Sequence, residues 1–251
     1  MLPSLFTPRT QSQSLLEVSL AHSDQDVLEA QRLRYKVFAE EMGAHINGGD
    51  GGVDRDIFDR YCEHLIVRDT GTGRVAGTCR ILPPPAARRI GGYYAEELFD
   101  LTRLNHLRGQ TAEIGRSCVH MNYRSGDAIS LLWAGVLRYM QTHGYQYIIG
   151  CANVGMADGG QNAAAIYRRL HAGSLCPIEY RAFPRCELPL DAYENTMAAI
   201  KLPPLVKGYL KVGAWVCSTP AWHPDFNAAE LLMMLPMARV EPHYFRQFLR
   251  A

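Results

Sequence analysis

The sequence predicts an α/β or α+β domain, a mixed twisted sheet with helices on both of its faces. Three observations lead there. HLIVRD and RVAGTCRIL, residues 64–69 and 74–82, are strand-like runs joined by the turn TGTG, which reads as a hairpin. AISLLWAGVLRYMQTHG, residues 128–144, has apolar residues at helical spacing and stops at a glycine. The signals along the chain run strand, helix, hairpin, strand, helix, strand, helix, strand pair, and no internal repeat interrupts them.

Each element has a local reason. Residues 1–14 are polar and broken by proline and read as a flexible tail, with one domain over 15–251 ending in a C-terminal extension. LLEVSL (15–20) is the first strand. Ser23 or Asp24 can cap a helix over 26–42, whose Val27, Leu28, Leu33, Val37 and Phe38 form a stripe. GAHINGGDGGVDRD (43–56), with five glycines among acids, is a loop. PPPAARRIGG (83–92) also reads as a loop, and AEELFDL (95–101) as a short helix. TAEIGRSCVH (111–120) is a strand, MNYRSGD (121–127) a turn, and YQYIIGCANV (145–154) a buried strand. Residues 160–173 form a helix that stops at glycine. VKGYLKVGAWV (206–216) and ELLMMLPM (230–237) read as the last strands, and PHYFRQFLR (242–250) as helical.

Composition narrows the class. The 251 residues are 47% hydrophobic and 20% charged, enough for a sizeable core. A net charge of +1, with no basic face in the sequence, argues against nucleic acid as a partner. The seven cysteines stand singly with no CxxC, which fits reduced thiols in a cytoplasm. The nine histidines show no HExxH or HxH spacing, so no metal is expected. No run of eighteen apolar residues exists. The chain is therefore expected to touch a membrane surface at most and not to cross it.

Four constellations can carry chemistry. In TAEIGRSCVHMNYRSGDAISLLW a strand feeds a turn that opens a helix, with Arg124, Ser125, Gly126 and Ala128 at the junction. Such N–H groups and the helix dipole can hold a phosphate, with Arg124 adding a charge; tight strand–helix packing needs the same small residues. Glu113 and Arg116, three apart on the strand, would face opposite sides unless a bulge at Gly115 brings them together. They read equally as a general base with its partner or as a structural ion pair. Asp54, Asp56 and Asp59 form an acidic group that could hold a cationic substrate group or simply face water. Their spacing is not that of a calcium loop. Cys118 and His120 share a strand face and could form a nucleophile pair, although a strand cysteine is ordinarily a small buried hydrophobe.

Together these residues resemble one superfamily. Arg34-Tyr35-Lys36-Val37-Phe38, Asp54-x-Asp56-x-x-Asp59, Gly77-Thr78-Cys79-Arg80 and Glu113-x-x-Arg116 follow, in order, the pattern of acyl-homoserine-lactone synthases. The detail is similar to the related L-ornithine Nα-acyltransferases of ornithine-lipid synthesis. RYKVFAEEMGA, EIGRSCVH, YRSGDAISLLW, LPPLVKGYLKVGAWV and PAWHPDFNAAELLMMLP carry that similarity over about residues 17–240. The resemblance implies a GNAT-like fold and a 3-hydroxyacyl thioester on the phosphopantetheine arm of an acyl carrier protein. It implies no permanently bound cofactor, L-ornithine as acceptor and lyso-ornithine lipid as product. The GNAT pyrophosphate loop usually begins with Arg or Gln. Here Tyr123 holds that position and Arg124 follows, which fits a carrier-borne arm better than free coenzyme A.

A mechanism can be written on these residues. An α-amine loses its proton more easily than a side-chain ammonium, whose pKa is about 10.4. Glu113 would be the base, Arg116 its neighbour, and a backbone N–H at 115–117 the oxyanion donor. Asp54, Asp56 and Asp59 would hold the δ-ammonium, while Arg34, Arg80 or Arg116 would fork onto the substrate carboxylate and Phe38 would line the site. Leu131, Leu132, Trp133 and Val136 are equally acyl-chain walls or core. Two other readings use the same residues. One is an N-acyl amino-acid or acyl-homoserine-lactone synthase with another amine, the other a non-catalytic module that binds an acyl carrier or lipid.

Overall fold

Period-two alternation sorts the side chains of the central sheet onto two faces, one largely apolar and one that carries most of the charged residues. The computed structural model describes residues 16–46, 51–193, 200–242 and 244. The expected tail 1–14 and most of the expected helix 242–250 lie outside the described residues. The strands are β1 (Leu16–Leu20), β2 (Glu63–Asp69), β3 (Val75–Leu82), β4 (Phe99–Asp100), β5 (Thr111–Val119), β6 (Tyr147–Gly155), β7 (Phe183–Pro184), β8 (Trp215–Val216), β9 (Ala221–His223) and β10 (Ala228–Pro236). The helices are α1 (Asp24–Tyr35), α2 (Pro84–Ile90), α3 (Asp127–His143), α4 (Gln161–His171) and α5 (Pro204–Lys211).

The main sheet runs β1-β2-β3-β5-β6-β10-β8, with β9 also paired to β10, while β4 and β7 form a separate pair. All pairings in the main sheet are antiparallel except β5 with β6. On the apolar face Leu65, Ile81, Ile148, Leu231 and Met233 pack against Trp133, Leu137, Ile166 and Val206 of α3, α4 and α5. On the other face Leu33, Val37 and Phe38 of the first helical segment cover one part. Ala86 and Ala87 of α2, with Phe99 and Leu104, cover another against Ile149, Leu232 and Met234. Helices therefore lie on both faces. No described helix is long and apolar enough to cross a membrane.

Four segments differ from the sequence reading. The stretch 83–92, expected as a loop, contains α2. Proline is tolerated in a helix's first turn, and Gly91 in the left-handed region (φ 99°) stops it. The stretch 206–216, expected as a strand, is mostly α5: Val206, Tyr209 and Val212 are buried at a spacing of three, and only Trp215–Val216 pairs with the sheet. The helix expected over 26–42 begins at Asp24 on a Ser23 cap. It is α-helical to Tyr35 and then π-helical from Lys36 to Glu41. The expected helix 95–101 is a 3₁₀ turn at Tyr94–Glu97 followed by β4.

β5 and β6 pair only over Thr111–Glu113 with Tyr147–Ile149 and then part. Gly150 lies where they separate. A Cβ there would collide with the Tyr209 hydroxyl and the Ile114 carbonyl oxygen. Gly150→Ala is therefore expected to destabilise the fold by roughly 1–3 kcal/mol, read as a lower urea midpoint. An unchanged midpoint would mean that both Tyr209 and the Ile114 carbonyl give way without cost.

Candidate active site

The parting of β5 and β6 opens a cavity on the polar face. Its empty space, mouth included, is about 660 Å³. One wall is Ile114, Gly115, Arg116 and Ser117 of β5, the other Cys151 and Asn153 of β6 with Glu230 of β10. Glu113, Arg80, Tyr94, Phe38, Phe58, Tyr209 and Phe226 also line it. Register explains who faces in. Arg80 pairs with Gly115 and Leu82 with Glu113, so these share a face, as do the paired Asn153 and Glu230.

A β-bulge brings Arg116 to the same side. On β3 only Cys79 stands between Thr78 and Arg80, whereas on β5 both Arg116 and Ser117 stand between their partners Cys118 and Gly115. The bulge thus lies at Arg116–Ser117, next to the expected Gly115. Arg116 takes a left-handed backbone, φ 49°, which is costly for a side-chain-bearing residue. Its guanidinium sits 4.9 Å from the Tyr94 ring centroid and 4.8 Å from that of Phe226. Phe226 meets Phe38 edge to face, with centroids 6.0 Å apart.

Glu113 is 4% exposed. Its carboxylate accepts from the backbone N–H of Tyr94 at 2.7 Å and of Ala95 at 2.8 Å, the start of the 3₁₀ turn. Burial pushes the carboxyl up to about 7, against the pull of those two N–H groups and the Arg80 charge. A buried acid that titrates near neutrality, beside a cavity, is suited to moving a proton.

The acidic group does something other than expected. Arg34, 1% exposed, donates from Nε to Asp54 Oδ2 at 2.8 Å, and from Nη1 and Nη2 to the two Asp59 oxygens at 2.7 and 2.9 Å. Its Nη2 also reaches the Asp54 carbonyl at 2.6 Å. Arg80 Nη1 lies 2.6 Å from Asp56 Oδ1 and 3.4 Å from Asp59 Oδ1. Arg116 lies 3.2 Å from Asp54 and 3.4 Å from Asp56. Three arginines thus match three aspartates. Asp54, Asp56 and Asp59 are already paired with cations, and Arg34 lies outside the cavity lining, so none of the four offers a free handle for substrate. The network positions Arg80 and Arg116, which do line the cavity.

The strand–turn–helix junction is a separate place. Arg124 ion-pairs with Glu41 and donates from Nε to the Val119 carbonyl at 3.0 Å. Ser125 is exposed, and Gly126 (φ 117°) precedes α3 without any side-chain cap. Ala128 is fully buried, so its backbone N–H is what it can offer. Cys118 is buried with Leu33, Val37 and Phe38, and burial pushes its thiol up. His120, past the end of β5, lies 3.2 Å from Lys36 Nζ, and the pair is no nucleophile. Leu132, Trp133 and Val136 belong to the core on the opposite face, and Leu131 packs against it, so these four do not wall this cavity.

Tyr94, Asn153, Tyr209 and Glu230 are not singled out by the sequence reading. Glu230 has a readable signal: it is the one charge in AAELLMMLP, a strand buried along its whole length. Tyr209 is hidden when α5 is read as a strand.

Residues 33–134 match the family model for an acetyltransferase (GNAT) domain. The chain is 32% identical over 248 residues to an L-ornithine N(alpha)-acyltransferase of Brucella abortus, covering 93% of this chain and 88% of that one. It is 32% identical over 249 residues to one of Rhizobium meliloti, covering 93% and 84%. Among solved structures, FeeM, an N-acyl amino acid synthase from uncultured soil microbes, superposes with a TM-score of 0.56 at 13% identity, covering 89% of this chain and 92% of that one; this likeness is one of fold.

Proposed function

Because the chain is an N-acyltransferase that belongs to the family of L-ornithine Nα-acyltransferases, we propose that it transfers a 3-hydroxyacyl group from an acyl-carrier-protein thioester to the α-amine of L-ornithine, giving lyso-ornithine lipid. The observation that carries this reading is Glu113, a buried carboxyl lifted to about 7 beside the parting of two strands. The incoming amine must be neutral to attack. Glu113 takes its proton, directly or through a water. The new C–N bond forms a tetrahedral oxyanion, which a backbone N–H of the Gly115–Ser117 bulge faces. The C–S bond then breaks and the carrier thiol leaves with a proton. Arg116, at the cavity wall, takes the substrate carboxylate, and Arg80 supports it through Asp56.

The donor enters at the junction. The uncapped start of α3 and Arg124 supply N–H groups and positive charge for the phosphate of a phosphopantetheine arm. The product is an amphiphile, which fits release at the inner surface of a membrane.

The test is mass spectrometry of products from purified protein, 3-hydroxyacyl carrier protein and an equimolar mixture of amino acids. The expected result is a dominant Nα-acyl-ornithine. A different acylated amine would replace the acceptor, and no acyl amide with any carrier donor would overturn the reading.

A further inference from the structure

Glu230 is 3% exposed and lines the cavity from β10. Its Oε1 accepts from Asn153 Nδ2 at 2.7 Å and lies 3.4 Å from His223 Nδ1. Its Oε2 is buried with no hydrogen-bond partner among the described residues. An unsatisfied buried carboxylate oxygen is costly, and such groups in folded proteins call for an explanation. The other charges around the cavity do not supply one. Arg80 is matched to Asp56 and Asp59, Arg116 lies against Asp54 and Asp56 with its Nε left without a hydrogen bond among the described residues, and both Glu113 oxygens accept backbone N–H groups. Glu230 is therefore the lining carboxylate with a whole oxygen to spare.

We propose that Glu230, held by Asn153, is the receptor for the distal ammonium of a diamino-acid acceptor and so selects ornithine over amino acids with uncharged side chains. The proposal rests on the N-acyltransferase reading above and deepens it. With the α-amine at Glu113 and the carboxylate at Arg116, the side chain runs along the cavity toward β6 and β10. There an ammonium supplies the donor that Oε2 lacks. The ion pair also keeps that amine protonated and hence unreactive, which confines acylation to the α-position. His223, outside the lining, backs Glu230 and packs against Phe226 at a centroid distance of 4.8 Å.

The experiment compares kcat/KM for ornithine, norvaline and lysine in the wild type, Glu230→Gln and Glu230→Asp, with one carrier donor. In Glu230→Gln the ornithine-to-norvaline ratio is expected to fall by about 30-fold, the scale of one lost hydrogen bond to a charged group. In Glu230→Asp the carboxylate retreats by one methylene, so the lysine-to-ornithine ratio should rise. An unchanged ornithine-to-norvaline ratio in Glu230→Gln, or norvaline used as well as ornithine by the wild type, overturns the proposal while leaving the acyl-transfer reaction standing. If Glu230→Gln does not fold, the Glu230→Asp ratio decides, and no shift toward lysine overturns it. A wild type that makes no acyl amide fails the underlying reading, and the proposal with it.

Discussion

Glu113→Gln is expected to lower kcat by about 10²–10³-fold, within the range of general acid–base catalysis, and to leave binding of the acyl carrier protein nearly intact. Gln has the shape of Glu but cannot take a proton, and its amide oxygen keeps one of the two backbone N–H bonds while its NH2 gives up the other. The pH profile adds a second reading. With the carboxyl at about 7, the base is ionised only above that pH. Wild-type kcat/KM should therefore climb through neutrality, and the residual activity of Glu113→Gln should lose that limb. Stability runs the other way. The folded value lies above the ordinary 4.5, so Glu113 favours the folded state fully below about 4.5 and loses that contribution as pH rises through about 7. Equal kcat in variant and wild type would remove Glu113 from the proton's path.

Arg34→Met should cost about 3–5 kcal/mol of folding stability, because it leaves Asp54 and Asp59 buried without their principal cation. Urea unfolding measures it. Arg34→Lys should recover only part, since an ammonium cannot fork onto both Asp59 oxygens while reaching Asp54. A loss below about 1 kcal/mol for Arg34→Met would mean that water enters and replaces the pair. The same network sets the acid limb. Burial opposes ionisation of Asp59, but the Arg34 hydrogen bonds and charge, with Arg80, outweigh it and hold the carboxyl well below the carboxylate range. Its contribution is therefore present above the ordinary 3.8 and lost as pH falls below it. His64, kept neutral by burial, adds to the same trend: its contribution is present above 6.5 and lost as pH falls.

The hairpin, α3, β5 and β6 are legible in the sequence because each has one dominant period and ends at a glycine or a turn. α2 and α5 are not, because proline and glycine at their margins read as loop or strand until burial at spacings of three is seen. Within the site, Glu113, Arg116, Arg80 and Phe38 follow from spacing and resemblance, and all four line one cavity. The roles of Arg34, Asp54 and Asp59 differ from the expected ones for a physical reason. A list of charges in a sequence does not say which are already neutralised, and only the fold pairs residues twenty and more positions apart. Glu230 escapes for the same reason: its partner Asn153 lies 77 positions away.

The bulge in β5 gives that strand two reading frames. Up to Gly115 the odd-numbered positions look into the site. Past the extra residue it is the even-numbered Cys118, opposite Thr78, that stands on this face, and parity is reversed. A single-residue deletion at 116 would restore uninterrupted pairing with β3, a gain by any local measure. It would also remove Arg116, and with it the guanidinium that the kink turns toward the cavity. The strand is therefore tuned by its length as much as by its composition. Volume-conserving apolar substitutions should be tolerated one at a time where the side chain faces the core, whereas insertions and deletions should be tolerated nowhere between Glu113 and Cys118.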